Sequence, residues 1–118
     1  MDISEENKGD ITIVEVKGRI DSNSAKTFGD TLTNLIKAGR ARLIVDLKNI
    51  VYISSAGFRA LLLAGRAAEK QQGNIALCNV SSEVRRLFDL ARFTDLFPIY
   101  GSREEGTAKL SETLSPFR

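Results

Sequence analysis

A strand pattern that runs into a helix pattern through two adjacent serines constrains this chain more than any other feature. Residues 42–47 are mostly apolar and predict a buried strand, and residues 55–71 carry apolar side chains at helical spacing. Ser54 and Ser55 lie at the turn between the two elements. Unpaired backbone N–H groups and the helix dipole favour negative charge at such a turn. A serine there acts either as a plain helix cap or as a place where phosphate is added.

Strand and helix patterns also alternate along the rest of the chain. The other predicted elements are strands at 3–7 and 11–17, a helix from Ala25 to about Arg40, a strand at 75–78, a helix after Ser81-Ser82, a strand at 98–100 and a helix at 102–114. This alternation predicts an α/β fold with a mixed sheet of four to five strands and about four helices. We expect one domain over residues 1–118, with a core at 3–112 and a loose tail at 115–118.

Composition excludes several classes of function. The chain has 118 residues, of which 17 are basic and 15 acidic, and a net charge of +2 does not indicate nucleic-acid binding. It contains no histidine and one cysteine, which rules out a Ser-His-Asp mechanism, an internal disulfide and a multi-cysteine zinc site. No apolar run has the length of a membrane span. We therefore predict a cytoplasmic protein that uses no membrane, metal or other cofactor.

Three further positions carry specific expectations. The stretch from Asp21 to Ser24 offers several helix-cap residues before the first helix. Asp46 is predicted to end its strand and to accept hydrogen bonds from loop amides. Cys78 is predicted to be a small buried apolar side chain and not a redox site.

Two segments give the chain a resemblance to a known family. Residues 46–58 run from strand-Asp-Leu through the serine junction, and residues 78–90 contain Cys-Asn-Val-Ser followed by Val-Arg-Arg-Leu-Phe-Asp-Leu. Together with the order of elements, they resemble the STAS domain and, more narrowly, bacterial anti-sigma factor antagonists. The resemblance covers about residues 3–112.

The resemblance implies a partner switch by a regulatory binding protein that is not an enzyme. In this family the unphosphorylated antagonist binds an anti-sigma factor that is also a Ser/Thr kinase, phosphorylation of one serine blocks that binding, and a serine phosphatase restores it. Ser55 matches the phosphoacceptor, with Ser54 as the alternative acceptor. Ser54 stands where the family commonly has Asp, and Ala56 stands where a second Ser is common.

The same resemblance places a partner-binding surface around the junction and the loop before the first helix. Its expected members are Asp21, Ser22, Asn23, Ser54, Ser55, Ala56, Gly57, Phe58 and Arg59. The residues alone leave simpler roles open: Ser55 as a helix cap, Gly57 as a glycine required by crowding, and Arg59 on a solvated helix face. Oligomeric state also stays open between a monomer and a weak dimer.

Two other functions compete with the switch. One is a nucleotide- or small-molecule-binding STAS module. The sequence argues against it because it contains no glycine-rich phosphate-binding motif. The other is a non-switching scaffold subunit of a larger complex. The serine at position 55 argues against it, because a scaffold without regulation would not need a phosphorylatable residue there.

Overall fold

Strands and helices alternate along the chain in the order that the patterns predict. The computed structural model describes residues 1–114, and the side chains of residues 1–111, so the predicted tail at 115–118 lies outside the described residues. The elements are β1 (Asp2–Lys8), β2 (Ile11–Ile20), α1 (Ala25–Lys37), β3 (Arg42–Ile53), α2 (Ser55–Lys70), β4 (Asn74–Cys78), α3 (Ser82–Leu90), β5 (Ile99–Tyr100) and α4 (Arg103–Leu114). These elements confirm the predicted α/β class.

The strands form one mixed sheet in the order β1-β2-β3-β4-β5. β1 pairs with β2 in antiparallel fashion, whereas the other neighbouring strands are parallel. Each parallel connection passes through a helix, as parallel pairing requires. The carboxyl ends of β2, β3, β4 and β5 therefore all lead into helices at the same edge of the sheet.

Two cores lie on opposite faces of the sheet. The larger core packs α1, α2 and α3 against one face, where Leu43 and Val45 of β3 contact helix residues such as Phe28 and Leu61. α4 covers the other face through Leu110. β3 is thus buried on both faces, which explains its nearly continuous apolar run at 43–45.

The apolar residues of α1 recur from Ala25 to Ile36 at spacings of 3, 4, 3 and 1, which predicts one buried helix face, and the structure confirms it. The buried residues of α1 are Ala25, Phe28, Leu32, Leu35 and Ile36.

Within the described part of the chain, no helix combines the length and the apolar character that a membrane crossing requires.

β3 is longer than the sequence predicts. The prediction ended at residue 47 because Lys48 and Asn49 interrupt the apolar run, but the strand continues to Ile53. Its backbone stays paired with β2 as far as the register pair Ile20↔Ile53. The expectation that Asp46 ends its strand is therefore wrong, because Asp46 lies in the interior of β3.

Candidate functional site

Ser54 caps α2 and fixes the junction between β3 and α2. Its backbone is extended (φ −87°, ψ 171°), and its hydroxyl oxygen accepts a 3.2 Å hydrogen bond from the Gly57 amide. Its own amide donates a 2.8 Å hydrogen bond to the carbonyl oxygen of Ile20. Ser54 is half-buried and held at both its amide and its side chain, so its hydroxyl is already committed to the helix end.

Ser55 has a different environment from its neighbour. It is the first residue of α2 and is exposed to solvent. In the described part of the chain, no hydrogen bond involves its hydroxyl group. The capping role left open for Ser55 belongs to Ser54, and the Ser55 hydroxyl stands free at the surface.

The electrostatics of this helix end favour an anion. The first turn of α2 contains no acidic residue, so no side chain of the turn itself neutralises the positive end of the helix dipole. Arg59, one turn after Ser55, is exposed. Side chains of helical residues lean toward the helix N-terminus, which directs Arg59 toward Ser55.

Gly57 lies where a larger residue fits only if its neighbours shift. A Cβ atom at this position would stand 2.7 Å from Ile20 Cγ2 and 2.8 Å from Ile53 Cγ1. Of the two roles left open for Gly57, crowding explains the glycine, because its surroundings are the ends of β2 and β3.

The two residues that flank Gly57 are also partly or wholly covered. Phe58 is buried and packs edge-on against Phe88, with ring centroids 4.9 Å apart. Ala56 is half-buried. The first turn of α2 is therefore anchored in the core, while Ser55 and Arg59 face solvent.

The loop between β2 and α1 is a second exposed element beside the junction. The Asp21 carboxylate accepts 3.0 Å hydrogen bonds from the amides of Asn23 and Ser24. Donation from the Ser24 amide holds the pKa of the Asp21 carboxyl below its ordinary value. Ser22 and Asn23 are exposed. Ser24 is the N-cap residue of α1, but its side chain makes no cap hydrogen bond, so the expected side-chain cap is absent and Asp21 instead binds amides of the loop itself.

A backbone hydrogen bond brings the two predicted segments together. Ile20, which accepts the hydrogen bond of the Ser54 amide, directly precedes Asp21. The loop at 21–24 and the start of α2 are therefore neighbours at one edge of the sheet. All nine predicted site residues fall in these two segments, of which Gly57 and Phe58 lie beneath the surface.

The sequence did not indicate a charged network next to this edge. Asp46 is 2% exposed and accepts hydrogen bonds from Arg103 Nε at 2.5 Å, from the Lys48 amide at 3.0 Å and from Asn79 Nδ2 at 3.2 Å. Arg103 also forms a 3.1 Å salt bridge with Glu15. The backbone amide that Asp46 binds belongs to Lys48 within β3 and not to a loop, and its main partner is the first residue of α4, which is 57 positions away in the sequence.

The pKa of Asp46 reflects two opposing effects. Burial raises the pKa of the carboxyl, but hydrogen bonds from Arg103, the Lys48 amide and Asn79 outweigh it, and the pKa lies below its ordinary value. Asp46 is thus ionised and fully paired, and it ties β3 to α4.

Cys78 lies at the end of β4 and is fully buried. Burial, with a smaller contribution from the charge of Asp46, raises the pKa of the Cys78 thiol to about 12. Such a thiol is protonated at neutral pH and is a poor nucleophile. Its role is packing, as the sequence predicts.

Comparisons with known proteins agree with this architecture. The model of the STAS domain family matches residues 2–106. The chain is 33% identical over 101 residues to the anti-sigma-B factor antagonist of Bacillus subtilis, which covers 86% of this chain and 91% of that protein.

Two solved structures of SpoIIAA, a Bacillus cell fate determinant and anti-sigma factor antagonist, share the fold. Its unphosphorylated form has a TM-score of 0.82 at 17% identity and covers 94% of this chain and 97% of that chain. Its phosphorylated form has a TM-score of 0.72 at 17% identity and covers 92% and 98%. The family match, the Bacillus subtilis relative and this shared fold show that the chain belongs to the STAS domain family, among the anti-sigma factor antagonists.

Proposed function

We propose that this protein is a phosphorylation-controlled antagonist in a partner-switching pathway. Its unphosphorylated form binds an anti-sigma factor that is also a Ser/Thr kinase, and phosphorylation of Ser55 blocks that binding. A serine phosphatase reverses the modification. The protein contributes a docking surface and a phosphoacceptor but no catalysis of its own, and we place the exchange in the cytoplasm, where sigma factors act.

The different environments of Ser54 and Ser55 support Ser55 as the phosphoacceptor. The Ser54 hydroxyl is half-buried and caps α2, whereas the adjacent Ser55 hydroxyl is exposed. A kinase reaches Ser55 without disturbing the helix, but it would have to break the cap to reach Ser54. SpoIIAA, which shares this fold, exists in a phosphorylated form.

The structure gives phosphorylation a simple physical route to blockade. A phosphoryl group adds about −1.5 to −2 charge at neutral pH and three strong acceptor oxygens. The N-terminus of α2, whose first turn has no acidic residue and which has Arg59 one turn away, accommodates this charge without unfolding. A partner that covers the junction would have to desolvate the dianion, and a cost of about 2.7–4.1 kcal/mol weakens a complex 100- to 1000-fold.

The nine predicted residues divide into two roles. Ser55, Arg59 and the loop at 21–23 are surface groups that we assign to partner contact. Ser54, Ala56, Gly57 and Phe58 hold the junction in place from the side or from below.

The test uses the purified anti-sigma factor kinases of the source organism, assayed one at a time with the wild-type protein, Ser54→Ala and Ser55→Ala. We expect one kinase to bind the wild-type protein and, with ATP, to transfer one phosphoryl group that tandem mass spectrometry maps to Ser55. Ser54→Ala accepts phosphate, Ser55→Ala does not, and a serine phosphatase removes the group. A phosphate on Ser54 alone, or no binding to any of these kinases, would refute the proposal.

A further inference from the structure

β2 and β3 extend past the other strands at the edge that carries Ser55. β4 pairs with β3 only from Arg42 to Asp46, and β1 reaches along β2 only to Lys17. The last register pairs, Arg19↔Tyr52 and Ile20↔Ile53, therefore belong to a two-stranded extension. This extension leads directly into the loop at 21–24 and into the Ser54–Ser55 junction.

The extension carries a preformed aromatic and cationic pair. The guanidinium carbon of Arg19 lies 4.6 Å from the centre of the Tyr52 ring. Their neighbours Ile20 and Ile53 are buried in the core under the helices, so Arg19 and Tyr52 face the other side of the extension. Arg19 is exposed and Tyr52 half-buried. Stacking on the ring holds the guanidinium in place. Its charge interacts with the Asp21 carboxylate, but in the described part of the chain its N–H groups form no hydrogen bond or salt bridge.

Two exposed apolar residues adjoin this pair. Val51 has no cross-strand partner in the register and is 67% exposed, the second highest value among the large apolar side chains of the described residues. Met1 is 39% exposed, and its Cα lies 3.5 Å from the position that a Cβ on Gly18 would occupy. We call Met1, Arg19, Val51 and Tyr52 the tip patch.

The ionic partners of Arg19 differ from those of Arg103, the arginine that binds the buried Asp46. Arg103 contacts three carboxylates, whereas the salt bridges of the described residues do not include Arg19. Interface hot spots are enriched in Tyr and Arg, and an exposed arginine that is already ordered loses little side-chain entropy on binding a carboxylate.

The tip patch is continuous with the proposed docking surface. An open depression of about 540 Å³ is lined by Met1 and Arg19 together with Asp21 and Asn23 of the adjacent loop. Tyr52 precedes Ser55 by three residues, which limits the separation of their Cα atoms to about 11 Å. A standard interface buries about 800 Å² on each partner, equivalent to a disc of about 16 Å radius. A footprint of this size centred on Ser55 reaches Tyr52, and the shared depression connects Arg19 and Met1 to the loop at 21–24.

We propose that the tip patch is the second half of the docking surface for the anti-sigma factor kinase, a proposal that rests on the function proposed above. It binds an apolar segment of that partner that carries a carboxylate. Val51 and Met1 contact the apolar groups, and Arg19, held by Tyr52, binds the carboxylate bidentately. The patch supplies affinity and positions the kinase, while Ser55 alone carries the switch.

The test compares Arg19→Ala and Val51→Glu with matched controls toward the far ends of α2 and α3. Arg66→Ala removes an exposed arginine, and Leu90→Glu places a charge on a side chain that is 76% exposed. Affinity is measured by calorimetry with the anti-sigma factor kinase that the wild-type protein binds. Phosphorylation of Ser55 is followed at varied substrate concentration, and thermal unfolding checks the fold of each variant.

We expect both tip-patch variants to bind at least about tenfold more weakly and to raise KM at unchanged kcat, with unfolding midpoints near that of the wild-type protein. Both controls should bind within about twofold of the wild-type protein. Wild-type affinity in both tip-patch variants, or equal losses in the controls, overturns this inference and leaves the switch at Ser55 intact. Failure of the wild-type protein itself to bind any such kinase overturns the proposed function and this inference with it.

Discussion

The amide of Gly57 donates a 3.2 Å hydrogen bond to the hydroxyl oxygen of Ser54, and this bond separates the roles of two adjacent serines. Ser54 holds the end of α2, and Ser55, the next residue, is exposed at the first position of the helix. A structural hydroxyl and a modifiable hydroxyl therefore stand side by side at the same junction. The proposed switch depends on this division.

Ser54→Ala should destabilise the protein without preventing phosphorylation. Loss of an N-cap side chain costs about 0.5–2 kcal/mol. Ser55→Ala removes an exposed hydroxyl and should change the free energy of unfolding by less than about 0.5 kcal/mol. Urea unfolding of the two variants measures this difference, and equal stability of both would contradict the assignment of the cap to Ser54.

Gly57→Ala should destabilise the junction although alanine is the better helix former. The added methyl group would lie 2.7 Å from Ile20 Cγ2, and overpacking of this kind costs about 1–3 kcal/mol. The gain in helix propensity offsets at most about 1 kcal/mol of that cost.

The matched control for this substitution is Gly101→Ala. A Cβ atom there would lie 3.6 Å from Glu105 Oε1, which is an ordinary van der Waals contact. Denaturant unfolding of both variants should show a loss at position 57 and little change at position 101. A stabilised Gly57→Ala variant would show that the crowding is relieved by small shifts of the two isoleucines.

Asp46 should make the protein less stable in acid. Its pKa is lowered in the folded state, so its contribution is fully present above the unfolded pKa of about 4 and is lost as the pH falls through the lower folded value. Asp46→Asn should therefore cost about 1.5–3 kcal/mol near pH 7 and less near pH 3, as measured by urea unfolding at both values.

Asp30→Asn is the control for this pH dependence. Asp30 forms a 2.7 Å salt bridge with Lys26, but both side chains are exposed. Its loss should change the free energy of unfolding by about 0–1 kcal/mol at either pH. An Asp46→Asn cost that is the same near pH 3 and near pH 7 would argue against an ionised Asp46 as the partner of Arg103.

Cys78 should not react with thiol reagents while the protein is folded. The side chain is fully buried and the pKa of its thiol is raised to about 12, so little thiolate is present and the reagent has no access. Labelling with a disulfide reagent should be slow in buffer and fast in urea. Rapid labelling in buffer would show that α4 opens readily from the sheet.

The sequence predicted the elements whose residues repeat on one face. The spacing of the apolar residues of α1 identifies all five of its buried side chains, because every one of them packs into the same core. The serine pair also marks the start of α2 correctly. Spacing alone, however, does not say which serine caps the helix, because either one precedes amides that it could bind.

Local apolar spacing does not predict contacts between residues that are distant in the sequence. Asp46 and Arg103 are 57 residues apart and meet only because α4 folds over the sheet. The continuation of β3 to Ile53 was missed because Lys48 and Asn49 are exposed where the strand passes the end of β4. The stacking of Arg19 on Tyr52 follows from that continuation and has no signal of its own in the sequence.

The most direct test of the central claim is the affinity of one kinase for two forms of the same protein. Wild-type protein phosphorylated stoichiometrically at Ser55 and its unphosphorylated form are titrated with the anti-sigma factor kinase, and circular dichroism and thermal unfolding are recorded for each. We expect binding to weaken about 100- to 1000-fold with the fold preserved, in accordance with a charge placed inside a docking surface. Equal affinity of the two folded forms would contradict the claim that Ser55 controls docking.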